Sequence, residues 1–168
     1  MYSFENLVFF RGVSGSTDPS VCSVRKVRKD RRPRDTLLHL HTAADEWFLR
    51  KFGFKFRSQA LFLTSTQTTA TAYASAPENV YRIIPLDQYT FCWSPNISDM
   101  LQLIDATTTP EMLWHALDAA DYRIDDLKSA HTSGNEVMLV CDQYISIPIE
   151  KLGYASVSPI IIAQSFQI

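Results

Sequence analysis

The sequence predicts an α+β fold built from two small, mostly antiparallel sheets flanked by helices. Three observations carry that prediction. Short apolar runs at residues 7–10, 60–63 and 137–140 have the length of strands and are too short for helices. Between the early and late strands, Ala44, Trp47, Phe48 and Phe52 recur at helical spacing on one face. The later strand-like runs come in closely spaced pairs, the pattern of antiparallel neighbours rather than of alternating strand–helix units. A chain of 168 residues with 46% hydrophobic and 20% charged side chains is expected to form one domain with a core of its own, without internal repeats.

The elements follow in order. Residues 6–11 form the first strand, and 12–19 are a Gly/Ser/Thr/Asp/Pro loop that a basic run extends to about residue 33. Residues 36–40 read as a short extended piece. Thr42 and Asp45 make a capping box for a helix that Gly53 stops. The strand at 60–63 delivers the hydroxyl cluster Thr64, Ser65 and Thr66. One of these caps a short helix carrying Ala70, Ala72 and Tyr73, with Tyr73 expected in the core. Residues 80–86 and 89–93 read as a hairpin turning at Leu86, Asp87 and Gln88, and Ser94 with Pro95 ends it. Ile97, Met100, Leu101 and Ile104 match the amphipathic helix template. Thr109 caps a further helix with Pro110 in its first turn, burying Met112, Leu113, Ala116 and Leu117. Residues 127–133 are a polar passage, 136–141 and 144–148 pair as a second hairpin, and 159–163 give a last β-rich run.

Composition restricts the function classes. No apolar run is long enough to cross a bilayer. The first residues lack the basic start and cleavage site of a secretory leader, so a cytoplasmic setting is expected. Cys22, Cys92 and Cys141 are odd in number and widely spaced, which implies neither a disulfide framework nor a zinc knuckle. Net charge is −2, yet residues 25–34 hold seven arginines and lysines against Asp30 alone. Such a block is either a solvated loop or an attractor of phosphates, from a dinucleotide, a nucleic acid or an acidic partner protein.

Three short motifs carry chemistry: Phe10-Arg11-Gly12 at the end of an early strand, Leu63-Thr64-Ser65-Thr66 on a middle strand, and Asn135-Glu136-Val137 entering a late one. Their order resembles the arginine–serine–glutamate class of the ADP-ribosyltransferase superfamily, over roughly residues 6–148. The resemblance implies that class's fold, two sheets around an NAD cleft, with NAD as substrate and nicotinamide as leaving group. It implies that Glu136 binds the ribose 2′-hydroxyl and stabilises the cation that develops on the sugar. It implies that Arg11 holds phosphate or ribose oxygens, a task suited to a guanidinium that never loses its charge. Thr64 and Ser65 would position these two. Gly12, Thr66 and Tyr73 would complete the NAD contacts, Gly12 by admitting the ligand to the backbone and Tyr73 as a wall beside nicotinamide. The hydroxyl cluster departs from the class's serine–threonine–serine wording but keeps its chemistry.

A second departure concerns the acceptor. Arginine-modifying members carry another glutamate two residues before the catalytic one, and Gly134 stands there in this chain. The resemblance therefore implies a mono-ADP-ribosyltransferase acting on a different acceptor, a protein first and a nucleic acid through the basic block second, with NAD hydrolysis as a further outcome. The middle of the chain, from Phe52 and Gly53 through Arg57 and Ser58 to Phe62, then from Tyr89 to Asp99, is similar to short proteins of this type encoded by bacteriophages. That similarity implies action on macromolecules of an infected bacterial cell.

Two other readings compete. His39 and His131 loosely follow two-histidine phosphoesterases, although only His131 has a hydroxyl residue, Ser133, two positions on. His39 and His41 would face one way on a strand, but spacing suggests no third ligand and so no metal site. The remaining reading is a transferase-like fold without turnover that binds a partner through its basic loop.

Overall fold

The computed structural model describes residues 2–15, 21–33 and 36–150. In chain order its elements are β1 (Phe10–Gly12), β2 (Ser23–Lys26), α1 (Leu38–Phe52), α2 (Phe56–Gln59), β3 (Leu61–Leu63), α3 (Gln67–Ala72), β4 (Val80–Pro85), β5 (Thr90–Trp93), α4 (Pro110–Ala119), α5 (Leu127–Ser133), β6 (Val137–Val140) and β7 (Gln143–Pro148). Short 3₁₀ turns occupy Pro77–Asn79 and Met100–Leu103. The β-rich run expected at 159–163 lies outside the described residues.

Among the described residues the strands form two antiparallel sheets, one in the order β1-β4-β7-β2 and one in the order β3-β6-β5. The α+β class is therefore as expected. The apolar run at 137–140 shows why the smaller sheet is buried on both faces. Val137 and Leu139 join a core cluster with Phe9, Leu63, Tyr81, Ile83 and Trp93, between the sheets. Met138 and Val140 point the other way, into a cluster with Leu40, Trp47, Phe48, Phe56, Leu113 and Leu117. Successive strand residues face opposite sides, so a sheet covered on both needs an unbroken apolar strand. Helix α1 supplies the covering face expected of it, with Ala44, Trp47 and Phe48 buried.

Neither expected hairpin forms. β4 lies in the larger sheet and β5 in the smaller one, and β6 and β7 divide in the same way. Both connections are corners where the chain changes sheet, and the corners hold each other. The Leu86 amide donates to the Gln143 carbonyl at 3.0 Å. The Asp87 carboxylate accepts from the Asp142 and Gln143 amides at 3.0 and 2.7 Å. The turn residues were legible, but their partners are some 55 positions away rather than across a local ladder.

Other boundaries also moved. β1 starts at Phe10 rather than at residue 6, and β2 forms within the segment expected to be a loop. Helix α1 begins at Leu38, so the extended piece and the capping box do not exist. Thr42 returns its hydroxyl to the Leu38 carbonyl, and Asp45 instead accepts the Arg57 and Ser58 amides at the start of α2. The helix expected around Ile97 to Ile104 shrinks to a 3₁₀ turn, because the Ser94 hydroxyl and the Asp99 carboxylate take the amides of Asn96, Ile97 and Leu101. Residues 127–133 are a helix, not a polar passage. The Asp126 carboxylate accepts the Ser129 amide, a cap worth about 1 kcal/mol, and Leu127 and Ala130 are buried. Thr109 caps α4 as expected, and Leu113 and Leu117 are fully buried, but Met112 is exposed and Ala116 is only partly covered.

Glycine is required where α3 closes on β1. A Cβ at Gly12 would lie 2.0 Å from the Ala70 carbonyl oxygen and 2.8 Å from the Ala74 nitrogen. The neighbour that uses its bare backbone is thus helix α3, and Gly12 also lines the cleft between the sheets. Gly12→Ala should cost about 3 kcal/mol of stability, since backbone must shift to admit the methyl group. Denaturant unfolding would measure this, and a wild-type midpoint would refute the packing of α3 on β1.

Candidate active site

One main-chain bridge joins the two sheets. The Phe10 amide donates to the Thr64 carbonyl at 2.7 Å, and the Thr64 amide donates to the Phe10 carbonyl at 3.0 Å. Arg11 follows Phe10 on β1. Leu63 pairs with Val137, so Glu136, the residue before β6, comes alongside Thr64. Arg11, Thr64 and Glu136 line one cleft of about 300 Å³. That volume is at the lower end of the roughly 300–1,000 Å³ found for small-molecule sites.

Thr64 is almost fully buried. Its hydroxyl donates to the Gly134 carbonyl at 2.9 Å and accepts the Thr66 amide at 3.1 Å. It therefore fixes the turn that presents Glu136. Ser65 and Thr66 do not line the cleft. The Ser65 hydroxyl donates to the His131 carbonyl at 2.6 Å, which ties β3 to α5. Thr66 precedes α3 without capping it through its side chain, contrary to the expected hydroxyl cap. Gly134 closes α5 with φ = 73°. A Cβ there would meet the Thr66 hydroxyl at 2.9 Å, so both conformation and space disfavour a glutamate at this position.

Tyr73, expected in the core, is 57% exposed at the cleft rim. Its hydroxyl donates to the Asp99 carboxylate at 2.6 Å, a bond that with partial burial pushes its pKa up to about 12. Glu136 is more enclosed. Its amide donates to the Ser98 carbonyl at 2.8 Å, and its carboxylate accepts the Met100 amide. Burial pushes its carboxyl up to about 7, opposed by Arg57 and reinforced by Asp99. Arg57 Nη1 lies 3.9 Å from Glu136 Oε1, a loose pair with both side chains largely covered.

Cations outnumber carboxylates here. Among the described residues, Arg11, Arg31, Arg32 and Arg57 line the cleft against Asp99 and Glu136. Burial lowers the pKa of Arg11, while a hydrogen bond with the Tyr144 side chain raises it. Arg31 belongs to the basic block, yet it is not a free surface residue. Its amide donates to the Ser58 carbonyl at 3.2 Å and its guanidinium to the Ala60 carbonyl at 3.0 Å. Burial, with Arg11 and Arg57 nearby, lowers its pKa to about 10. In the sequence Arg57 stands out only as part of the bacteriophage-like stretch and Arg31 only as part of the charge block. Those two signals were the ones that could have found them.

The histidines do not assemble a second site. His39 and His41 lie on α1, not on a strand, so the same-side pairing expected of them fails. His41 is buried with Nε2 at 3.7 Å from Asp45 Oδ2, and His131 packs edge-on against Phe9. No group of three or more metal-ligating side chains is gathered among the described residues. The chain matches no protein-family model, no curated protein and no solved structure.

The Glu136 carboxyl has a consequence for stability. Its folded value of about 7 lies above the ordinary 4.5, so the folded state holds the proton more tightly than the unfolded one. The associated stability is full below pH 4.5 and is lost as pH rises through about 7. Across that window the wild type should lose on the order of 2–3 kcal/mol relative to Glu136→Gln. Denaturant unfolding at both ends of the window would show this, and parallel curves would refute the burial argument.

Proposed function

We propose that this chain is an NAD-dependent mono-ADP-ribosyltransferase, with Glu136 as its catalytic carboxylate. The observation that carries the reading is that Arg11, Thr64 and Glu136, drawn from three distant stretches, line one cleft between two sheets. In the reaction the bond between nicotinamide and ribose C1′ breaks and its electron pair leaves with nicotinamide. The sugar gains oxocarbenium character, which an ionised Glu136 beside the 2′-hydroxyl stabilises. An acceptor nucleophile then bonds to C1′ and gives up its proton. Arg11 holds an anionic part of NAD, and Thr64 keeps the Glu136 turn in place. The left-handed backbone at Gly134 and the Thr66 hydroxyl beside it disfavour a second glutamate there, which speaks against an arginine acceptor.

The chemistry needs Glu136 ionised, so kcat/KM should rise as pH increases through about 7 and level off above it. Incubation with labelled NAD and bacterial lysate, following nicotinamide release and label transfer together, tests both halves. Glu136→Gln should lower either rate by about 10²–10³-fold. Release without transfer, also lost in the variant, would identify an NAD hydrolase. Equal silence of wild type and variant would overturn the enzyme reading in favour of a binding protein.

A further inference from the structure

Two of the cleft arginines share one aromatic support. The guanidinium carbon of Arg31 lies over the Phe62 ring at 4.6 Å from its centroid, and that of Arg57 at 4.5 Å. A cation–π contact uses the charge of a guanidinium and not its N–H groups, which can still donate. Both side chains are anchored from behind, Arg31 through the Ala60 carbonyl and Arg57 through α2, whose first amides are held by Asp45.

Their donors exceed what the protein supplies. Arg57 is 9% exposed, yet its Nε and Nη1 have no hydrogen-bond partner among the described residues. Glu136 approaches Nη1 only to 3.9 Å, beyond hydrogen-bonding distance. Among the described residues Arg31 has no carboxylate within salt-bridge range. Covered, unpaired charged donors are costly unless a ligand completes them. Two forked guanidiniums also present more N–H groups than one carboxylate can accept, which points to a group with many oxygens.

We propose that Arg31 and Arg57, held over Phe62, form a phosphate clamp beside Glu136 that takes the diphosphate of a nucleotide. The proposal deepens the reading of the same cleft and rests on it only for the diphosphate's belonging to a nucleotide. Arg11 reaches the same cleft from β1, near enough to Arg31 for the two charges to repel. Phe62 acts as a positioning residue, since both guanidinium carbons lie over its ring.

Isothermal titration with ADP and with adenosine, at fixed ionic strength, tests the clamp directly. The full chain should bind ADP at least about tenfold more tightly than adenosine. Arg31→Gln and Arg57→Gln should each weaken ADP by about tenfold or more and leave adenosine unchanged. Arg57→Lys keeps the charge but loses the fork, and should also weaken ADP; with Arg31→Gln it carries the test if Arg57→Gln does not fold. ADP bound no better than adenosine, or ADP affinity unmoved by Arg31→Gln, would overturn the clamp. NAD turnover with KM unchanged in these variants would overturn the clamp and leave the transferase reading standing. Clamp-dependent ADP binding without any NAD turnover would do the reverse.

Discussion

The two hydrogen bonds between Phe10 and Thr64 are the constraint on which the rest of the site depends. They connect strand ends that belong to different sheets, and each is worth only about 1 kcal/mol. Their geometry, however, places the next residue on one strand, Arg11, beside the turn that bears Glu136. The bridge persists because the surrounding core is dense. Phe9, Leu63 and Val137 pack in the cluster between the sheets and are almost fully buried. On the other side α3 seats directly on the bare backbone of Gly12. A pair of weak bonds is thus held by burial that contributes several times as much, at about 2 kcal/mol or more per large apolar side chain.

The cleft opposes that stability electrostatically. Burial disfavours the charge on Glu136 and on Arg11 and Arg31, and the arginines also repel one another. The obvious relief, a close Arg57–Glu136 pair, is not taken, and the groups stand 3.9 Å apart. A tight pair would satisfy both and leave neither for a ligand. The observed spacing leaves Arg57 Nη1 and Glu136 Oε1 without a hydrogen-bond partner among the described residues, at a cost to folding. Local conflicts of this kind gather at functional sites.

Much of this was legible in the chain. The strand around 60–63, the buried face of α1, the Thr109 cap and the order of Arg11, Thr64 and Glu136 follow from local pattern, because side-chain period and capping chemistry act over a few residues. The turn residues of the two corners suit a hairpin and a change of sheet equally well. Nothing within reach of Asp87 reveals that its carboxylate will cap the amides of Asp142 and Gln143. α5 leaves no visible period in the sequence because its buried contribution is only Leu127 and Ala130.

The sequence by itself determined the longer apolar strands, the buried face of α1 and the inventory of charged and hydroxyl groups, since these depend on neighbours along the chain. Only the tertiary structure decided which sheet each strand joined, that Ser65 turns to α5 while Thr64 faces the cleft, and that Arg31 and Arg57 meet over Phe62. Those outcomes come from pairings between residues tens of positions apart, where the competing arrangements have the same local chemistry and differ only in what they bury together.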